Sequence, residues 1–238
     1  MSPPPPQHQV SRRERPAKLP LNRAAIVSAA VQLLRADGLE RVTMRRLATT
    51  LDTGPASLYV YFRSTAHLHA ALLDELLGEV DLVPTNPDTA WQERLVGILA
   101  SYAGVLFAYP SVAKLSVSAR PSGPNGLQML EAILALLDEG GIAPGAAAWG
   151  SDQLVQYATA TATEHGARDE QAALVDGESD LARALASLSP DSHPHLHALR
   201  DTMVAGEEGA RFRWGIDVLL AGLEDRRNSD PPGAYLTV

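Results

Sequence analysis

TMRRLATTLDTGPASLYVYF, residues 43–62, decides the fold. Thr43 stands where a helix N-cap would, its hydroxyl able to take an orphan backbone N–H. Leu47 and Leu51 follow four apart and mark the inward face of a short helix. Asp52-Thr53-Gly54 reads as a turn. Pro55 suits the first turn of a second helix, where its missing N–H costs little. Leu58 and Phe62 are again four apart and face inward, leaving Ser57, Tyr59, Val60 and Tyr61 to face outward at least in part. Two short helices about such a turn form a helix-turn-helix, whose second helix can enter the major groove of DNA.

Upstream, Asn22 to Asp37 is an amphipathic helix with Asn22 as N-cap. Ile26, Val27, Ala30, Leu33 and Leu34 lie on one face and Gly38 forms a C-cap. Downstream, Ser64 and Thr65 start a fourth helix running to about Val80. Prolines between Val83 and Asp88 interrupt it. Further helices are expected over about 89–108, 110–118, 126–139 and 144–166, with a weak segment near 178–188 and a last helix over 210–227. The rest of 167–206, mixing Gly, Pro, Ser and charge, reads as loop. No alternating strand pattern occurs, so the chain is all-α. It divides into a Pro/Arg-rich tail (1–20) expected to be disordered, a helix-turn-helix head (21–66) expected to bind DNA, a helical body (67–227), to which the family resemblance described below assigns ligand binding and dimerisation, and a short C-terminal tail (228–238).

The chain has 238 residues and a net charge of −8, which by itself argues against nucleic acid. The charge is unevenly spread: residues 1–66 hold ten Lys/Arg against four Asp/Glu, and the remainder is strongly acidic. A basic head on an acidic body is expected when only one end meets phosphate. There is no cysteine, which excludes disulfides and thiolate metal sites and is compatible with the reducing cytoplasm, the expected location. The opening residues lack the apolar centre of a signal peptide, and no run approaches the ~18 apolar residues of a membrane span.

The head resembles the tetracycline-repressor (TetR) family: an apolar helix ending in ADG, then VTMRRLATTL, the turn, ASLYVYF, and a Ser-Thr start to the next helix. The body is similar as well, in TAWQERL, SARPSGPNG and RFRWGIDVLLAGLE. The resemblance spans most of residues 21–227 and is weakest at about 167–200. It implies a homodimer that binds a palindromic operator in double-stranded DNA and is released by a small-molecule inducer. In it, the helix near 144–166 and the last helix pair with their two-fold mates. The apolar stripe Phe212, Ile216, Leu219 and Leu223, with Trp214 and Val218 beside it, would supply that contact.

By position, the resemblance implies DNA contacts from Thr43, Arg45, Arg46, Pro55, Ala56, Ser57, Tyr59, Val60, Tyr61, Arg63 and Thr65. Thr43 would meet phosphate, Arg45 would read a guanine with its planar fork, and Arg46 would bind phosphate. Ala56, Ser57 and Val60 would touch base edges, and Tyr59 and Tyr61 would donate hydroxyls to phosphates. The chain departs from tetracycline repressors at three places. Pro55 replaces a base-reading glutamine, Val60 and Tyr61 replace a tryptophan and a histidine, and Thr65 replaces a phosphate-binding lysine. A different operator is therefore expected. Asp52 also stands where glycine is common. Arg12, Arg13, Arg15 and Lys18 in the tail can add a DNA contact or stay solvated.

The implied ligand pocket takes in Asp81, Ile98, Tyr102, Tyr109, Ser116, Ala119, Ile133, Gln156, Thr161 and Glu164. The histidine that would hold a magnesium–tetracycline chelate is missing, so a hydrophobic or aromatic inducer is expected instead. Ile98 and Ile133 can equally be plain core residues. His193, His195 and His197 carry donors for zinc or nickel, but no partner ligands are evident, and neither metal nor cofactor is expected. Two other classes stay open from the residues alone. One is a helical interaction protein with a degenerate DNA head. The other is a helical-bundle enzyme, for which no nucleophile–base pattern, phosphate loop or paired carboxylate exists. Glu164 and His165 are sequence neighbours, which on a helix point apart. A non-enzymatic transcriptional repressor is the expectation.

Overall fold

The computed structural model describes residues 21–83, 88–117, 121–172, 180–205 and 208–225. The expected tails at 1–20 and 228–238, with Arg12, Arg13, Arg15 and Lys18, lie outside them, as does Ala119. Every element among the described residues is helical.

Three helices make the head: α1 (Arg23–Asp37), α2 (Met44–Thr50) and α3 (Pro55–Tyr59), with a 3-10 turn at Leu39–Arg41. Their ends form as the sequence dictates. The Asn22 side chain accepts from the Ala25 N–H at 2.8 Å and the Thr43 hydroxyl accepts from Arg46 N–H at 3.2 Å. Gly38 ends α1 at φ 82°, where an L side chain would be strained, and donates its N–H to Leu34. Ile26, Val27, Ala30, Leu34, Leu47, Leu58 and Phe62 close the head's core. The Arg23 guanidinium lies 4.6 Å from the Phe62 ring centroid, over its face.

Helix α4 (Thr65–Leu77), capped by the Ser64 hydroxyl, joins head to body. It packs on α1 behind it and on α5 (Trp91–Ala108) and α7 (Pro124–Glu139) ahead. The join to α7 is polar: the Asp74 carboxylate accepts from the Gly126 N–H at 2.9 Å, and its carbonyl accepts from Asn125 Nδ2 at 2.9 Å. An acid at an N-terminus satisfies orphan N–H groups and meets the positive end of the helix dipole.

The body is built around α8 (Pro144–Ala172), whose 29 residues make it about 43 Å long. Against it pack α5, α7, α6 (Pro110–Ser116) and α11 (Glu208–Asp225). It runs past the expected end at 166. Leu95, Leu99, Leu106, Met129, Ile133, Leu137, Leu154 and Ala158 form the body's core. Tyr102 is buried with them, its hydroxyl 2.7 Å from Thr159 Oγ1, and burial raises its phenol above the ordinary value. Arg213 on α11 clamps Glu93 on α5. Its hydrogen bonds hold the Glu93 carboxyl below the ordinary carboxylate range.

Two small helices, α9 (Asp180–Ala186) and α10 (Pro194–Val204), pack on each other. Helix α10 corrects the expected loop. His193 stands at its N-cap and Pro194 in its first turn, so the proline that looked like a breaker is a starter. It buries no residue, leaving Leu196, Leu199 and Met203 exposed.

Candidate nucleic-acid interface and an aromatic cavity

The turn between α2 and α3 requires residue 52 at φ 48°, which Asp tolerates better than most residues. The turn then lets the two helices pack through Leu47 and Leu58, both fully buried. A helix of five residues has no stability of its own, so α3 exists because Leu58 and Phe62 anchor it. With its inner face fixed, the outer face is left bare: Val60 is 82% and Tyr59 51% exposed. Thr43, Arg45, Arg46, Pro55, Ala56, Arg63 and Thr65 are also exposed, and Ser57 is half-buried beside them.

Two of these residues carry internal bonds. Arg46 pairs with Asp37 at 3.0 Å, an exposed pair that a phosphate can displace at little cost. Tyr61 differs from expectation more strongly. It is half-buried and its hydroxyl donates to the Leu21 carbonyl at 2.7 Å. That proton is not directed at a phosphate, and Tyr61 fixes the chain entering α1 to the end of α3.

In the body, a cavity of about 450 Å³ opens between α5, α8 and the start of α11. Its walls are aromatic. Phe107 and His165 meet edge to face with ring centroids 4.7 Å apart, and Tyr157 stacks on Phe212 at 5.9 Å. Ala100 and Ala103 line the cavity from α5; Thr161, Glu164 and Arg211 add polar groups. Arg211 Nη2 donates to the carbonyls of Met203 and Ala205, both at 2.6 Å, and so holds the C-terminal end of α10.

Of the expected pocket residues this cavity gathers Thr161 and Glu164. Ile98 and Ile133 are core, as is Tyr102. Gln156 is exposed and bonds Asp152 one turn away at 2.9 Å. Asp81 is exposed and its carboxylate accepts from Val83 N–H at 3.0 Å. The Ser116 hydroxyl donates back to Val112 within α6. Tyr109 is bonded to Arg35 of the head, through Arg35 Nε at 3.1 Å. Both Tyr109 and Glu79 raise the Arg35 guanidinium above its ordinary value.

Phe107, Tyr157, His165, Arg211 and Phe212 were missed as lining. One signal was present: Tyr157, Thr161 and Glu164 recur four and three apart on α8. Glu164 and His165, neighbours on α8, both line the cavity.

The stripe expected at the dimer contact is divided in its burial. Phe212 and Ile216 are buried in their own subunit, and Leu219 and Leu223 pack partly buried on the same core. The reason is that α11 needs an apolar face to dock on α8 at all. Its other face leaves Trp214 69% and Val218 50% exposed, and Trp149 on α8 is exposed as well. On α10, the His193 ring bonds Ser192 and the His197 ring bonds Arg200. Among the described residues no group of three potential ligands is gathered for a metal. No single described helix is long and apolar enough to cross a membrane.

Comparison with known proteins agrees with this layout. Residues 26–72 match the family described as bacterial regulatory proteins, tetR family, and residues 83–227 match the tetracyclin repressor-like C-terminal domain. A class A tetracycline repressor from Escherichia coli is 30% identical over 204 residues, covering 85% of this chain and 90% of that protein. SCO7704, a Streptomyces protein assigned as a transcription regulator, is 46% identical over 93% of this chain and all of its own, with a TM-score of 0.74. The TetR-family protein ActR of Streptomyces coelicolor, solved with actinorhodin, is 32% identical over 90% of this chain and all of its own, with a TM-score of 0.78.

Proposed function

The chain belongs to the tetR family of bacterial regulatory proteins, and on that premise we propose how its own residues act as a ligand-responsive repressor. The observation that carries the proposal is the bare outer face of α3 beside the exposed Thr43 and Arg45 at the start of α2. Arg45 takes a guanine bidentately in the major groove. Pro55, Ala56, Ser57 and Val60 present small apolar and hydroxyl groups to base edges and thymine methyls. Thr43, Arg46, Tyr59, Arg63 and Thr65 surround them and meet phosphates, which position the head without reading sequence.

Family members bind operator DNA as homodimers. Here the two-fold contact is assigned to the exposed face of α8 and α11 carrying Trp149, Trp214 and Val218. Large exposed apolar side chains on two helices that pack together suit a partner of the same kind. Two heads on one axis read a palindrome.

The cavity is the effector site. Stacked and edge-on rings with an alanine floor suit a planar aromatic molecule of moderate size; the relative ActR has been solved in complex with actinorhodin. The effector must prefer the conformation that cannot hold the operator, since equal affinity for both shifts nothing. The protein acts in the cytoplasm as a regulator and not as an enzyme.

The test is selection of DNA from a random pool by the purified dimer, followed by release with a panel of planar aromatic compounds. A palindromic consensus released by at least one compound, and not after Phe107→Ala, supports the proposal. No consensus, or release that ignores the cavity, overturns it.

A further inference from the structure

The cavity and the head are joined through one corner of the body, and its geometry carries an inference that rests on the effector reading above. Phe107, in the cavity wall, is two residues from Tyr109. Between them and α6 the chain turns through 120°. The corner has no slack against α8. A Cβ on Gly166 would lie 2.8 Å from Pro110 Cβ and 3.3 Å from its Cγ, closer than real Cβ atoms tolerate. Gly166 directly follows Glu164 and His165 of the cavity. The Thr163 hydroxyl, shared between the Ala113 and Thr159 carbonyls, ties α6 to the same stretch of α8.

From this corner Tyr109 reaches into the head. Its hydroxyl accepts from Arg35 Nε at 3.1 Å, while Arg35 Nη2 binds Glu79 just past α4 at 2.6 Å. One guanidinium therefore holds the end of α1, the end of α4 and the cavity's corner together. A molecule wedging between Phe107 and His165 moves the end of α5 away from α8, and Tyr109, two residues on, is drawn with it while Pro110 and α6 stay held to α8 at Gly166 and Thr163. A hydrogen bond at 3.1 Å is lost after a displacement of about half an ångström.

We infer that Arg35 and Tyr109 are the coupling residues of this protein: their hydrogen bond is the latch by which occupancy of the cavity reaches the DNA-binding head. Both are positioning residues and touch neither effector nor DNA. While the latch is closed, the head's angle is set from α4 and from the body together. Once it opens, α4 alone sets it.

The wedge at Gly166 permits a test that needs no effector. Gly166→Ala pushes Pro110, and Tyr109 next to it, away from α8, and Tyr109→Phe removes only the latch oxygen. The chain has no cysteine, so a single spin label at Glu40→Cys, exposed in the head, reports the head-to-head distance in the dimer. DNA affinity for the selected consensus is measured on the same four proteins. Gly166→Ala is expected to shift the distance and weaken DNA binding, within the roughly 2- to 30-fold range of coupling mutations. In the Tyr109→Phe background it is expected to add nothing. Equal shifts in both backgrounds, or none in either, would overturn the latch.

The distance works without DNA, so the two ideas fail separately. A Tyr109-dependent shift in a protein that selects no DNA supports the latch and refutes the operator. If Gly166→Ala does not fold, Phe107→Trp parts the same elements from the cavity side at a half-exposed position and takes its place.

Discussion

Leu58→Ala isolates the recognition helix from everything else in the molecule. Leu58 is fully buried beneath a helix of five residues, and it is the residue that converts those residues into a fixed surface. Truncation removes its packing and leaves a cavity between α3 and α2 that neither can fill without moving. Such changes cost about 2.7–5 kcal/mol. At about 3 kcal/mol, the opening equilibrium of α3 rises roughly a hundredfold. The body keeps its own core around Leu95, Leu99, Met129, Ile133 and Leu154, so the loss is confined to the head. Residue-resolved hydrogen exchange checks this: amides of residues 47–62 should exchange about a hundredfold faster while those of 151–162 are unchanged. DNA binding should be lost at temperatures where the body's helical signal persists. Unaltered exchange in 47–62, or equal acceleration in α8, would refute the reasoning, because α3 would then not depend on this anchor or the head would not open by itself.

Three further predictions follow from single contacts. Asp52→Val places a β-branched residue at φ 48° and should cost about 1–2 kcal/mol, seen as a lower thermal midpoint; an unchanged midpoint would remove the case for turn strain. Trp214→Glu charges the proposed two-fold face and should weaken dimerisation by about 2 kcal/mol or more, roughly thirtyfold; an unchanged sedimentation profile at low concentration would place the contact elsewhere. Glu93→Gln should narrow the stability of the α5–α11 clamp only above the ordinary carboxylate value of 4.5. The folded value is lowered, so the pair's contribution is present above that pH and lost as the pH falls below it. Thermal midpoints of wild type and variant should therefore converge on acidification, and a gap that persists or widens in acid would contradict the assignment.

The head was legible in the sequence because each of its signals is local. Asn22, Thr43 and Ser64 cap helices within three residues of themselves, Gly38 ends α1, and Leu58 and Phe62 lie one turn apart on the buried side. Helix α11 shows where periodicity stops. It has two apolar faces, and a sequence cannot say which meets its own core, since a dimer face and a core face are apolar for the same reason. The face bearing Phe212 and Ile216 went inward and that bearing Trp214 and Val218 outward. Helix α10 escaped notice because it buries no residue and its Leu196, Leu199 and Met203 sit among histidines behind a proline. The cavity escaped because its walls come from residues 100–107, 157–165 and 209–212, brought together only by the packing of α5, α8 and α11. Tyr61 shows the limit for single residues: its spacing allowed an outward hydroxyl, and only the position of the Leu21 carbonyl turned it inward.

The most direct measurement is the salt dependence of binding to the selected palindrome by wild type and Arg45→Ala. Affinity should fall linearly in logarithmic salt, with a slope near −0.9 per phosphate neutralised. The variant should lose about 1–3 kcal/mol of discrimination for one base pair in each half-site while keeping most of the slope. Equal affinity and equal base preference in the two proteins would contradict a head that reads DNA through the start of α2 and the bare face of α3.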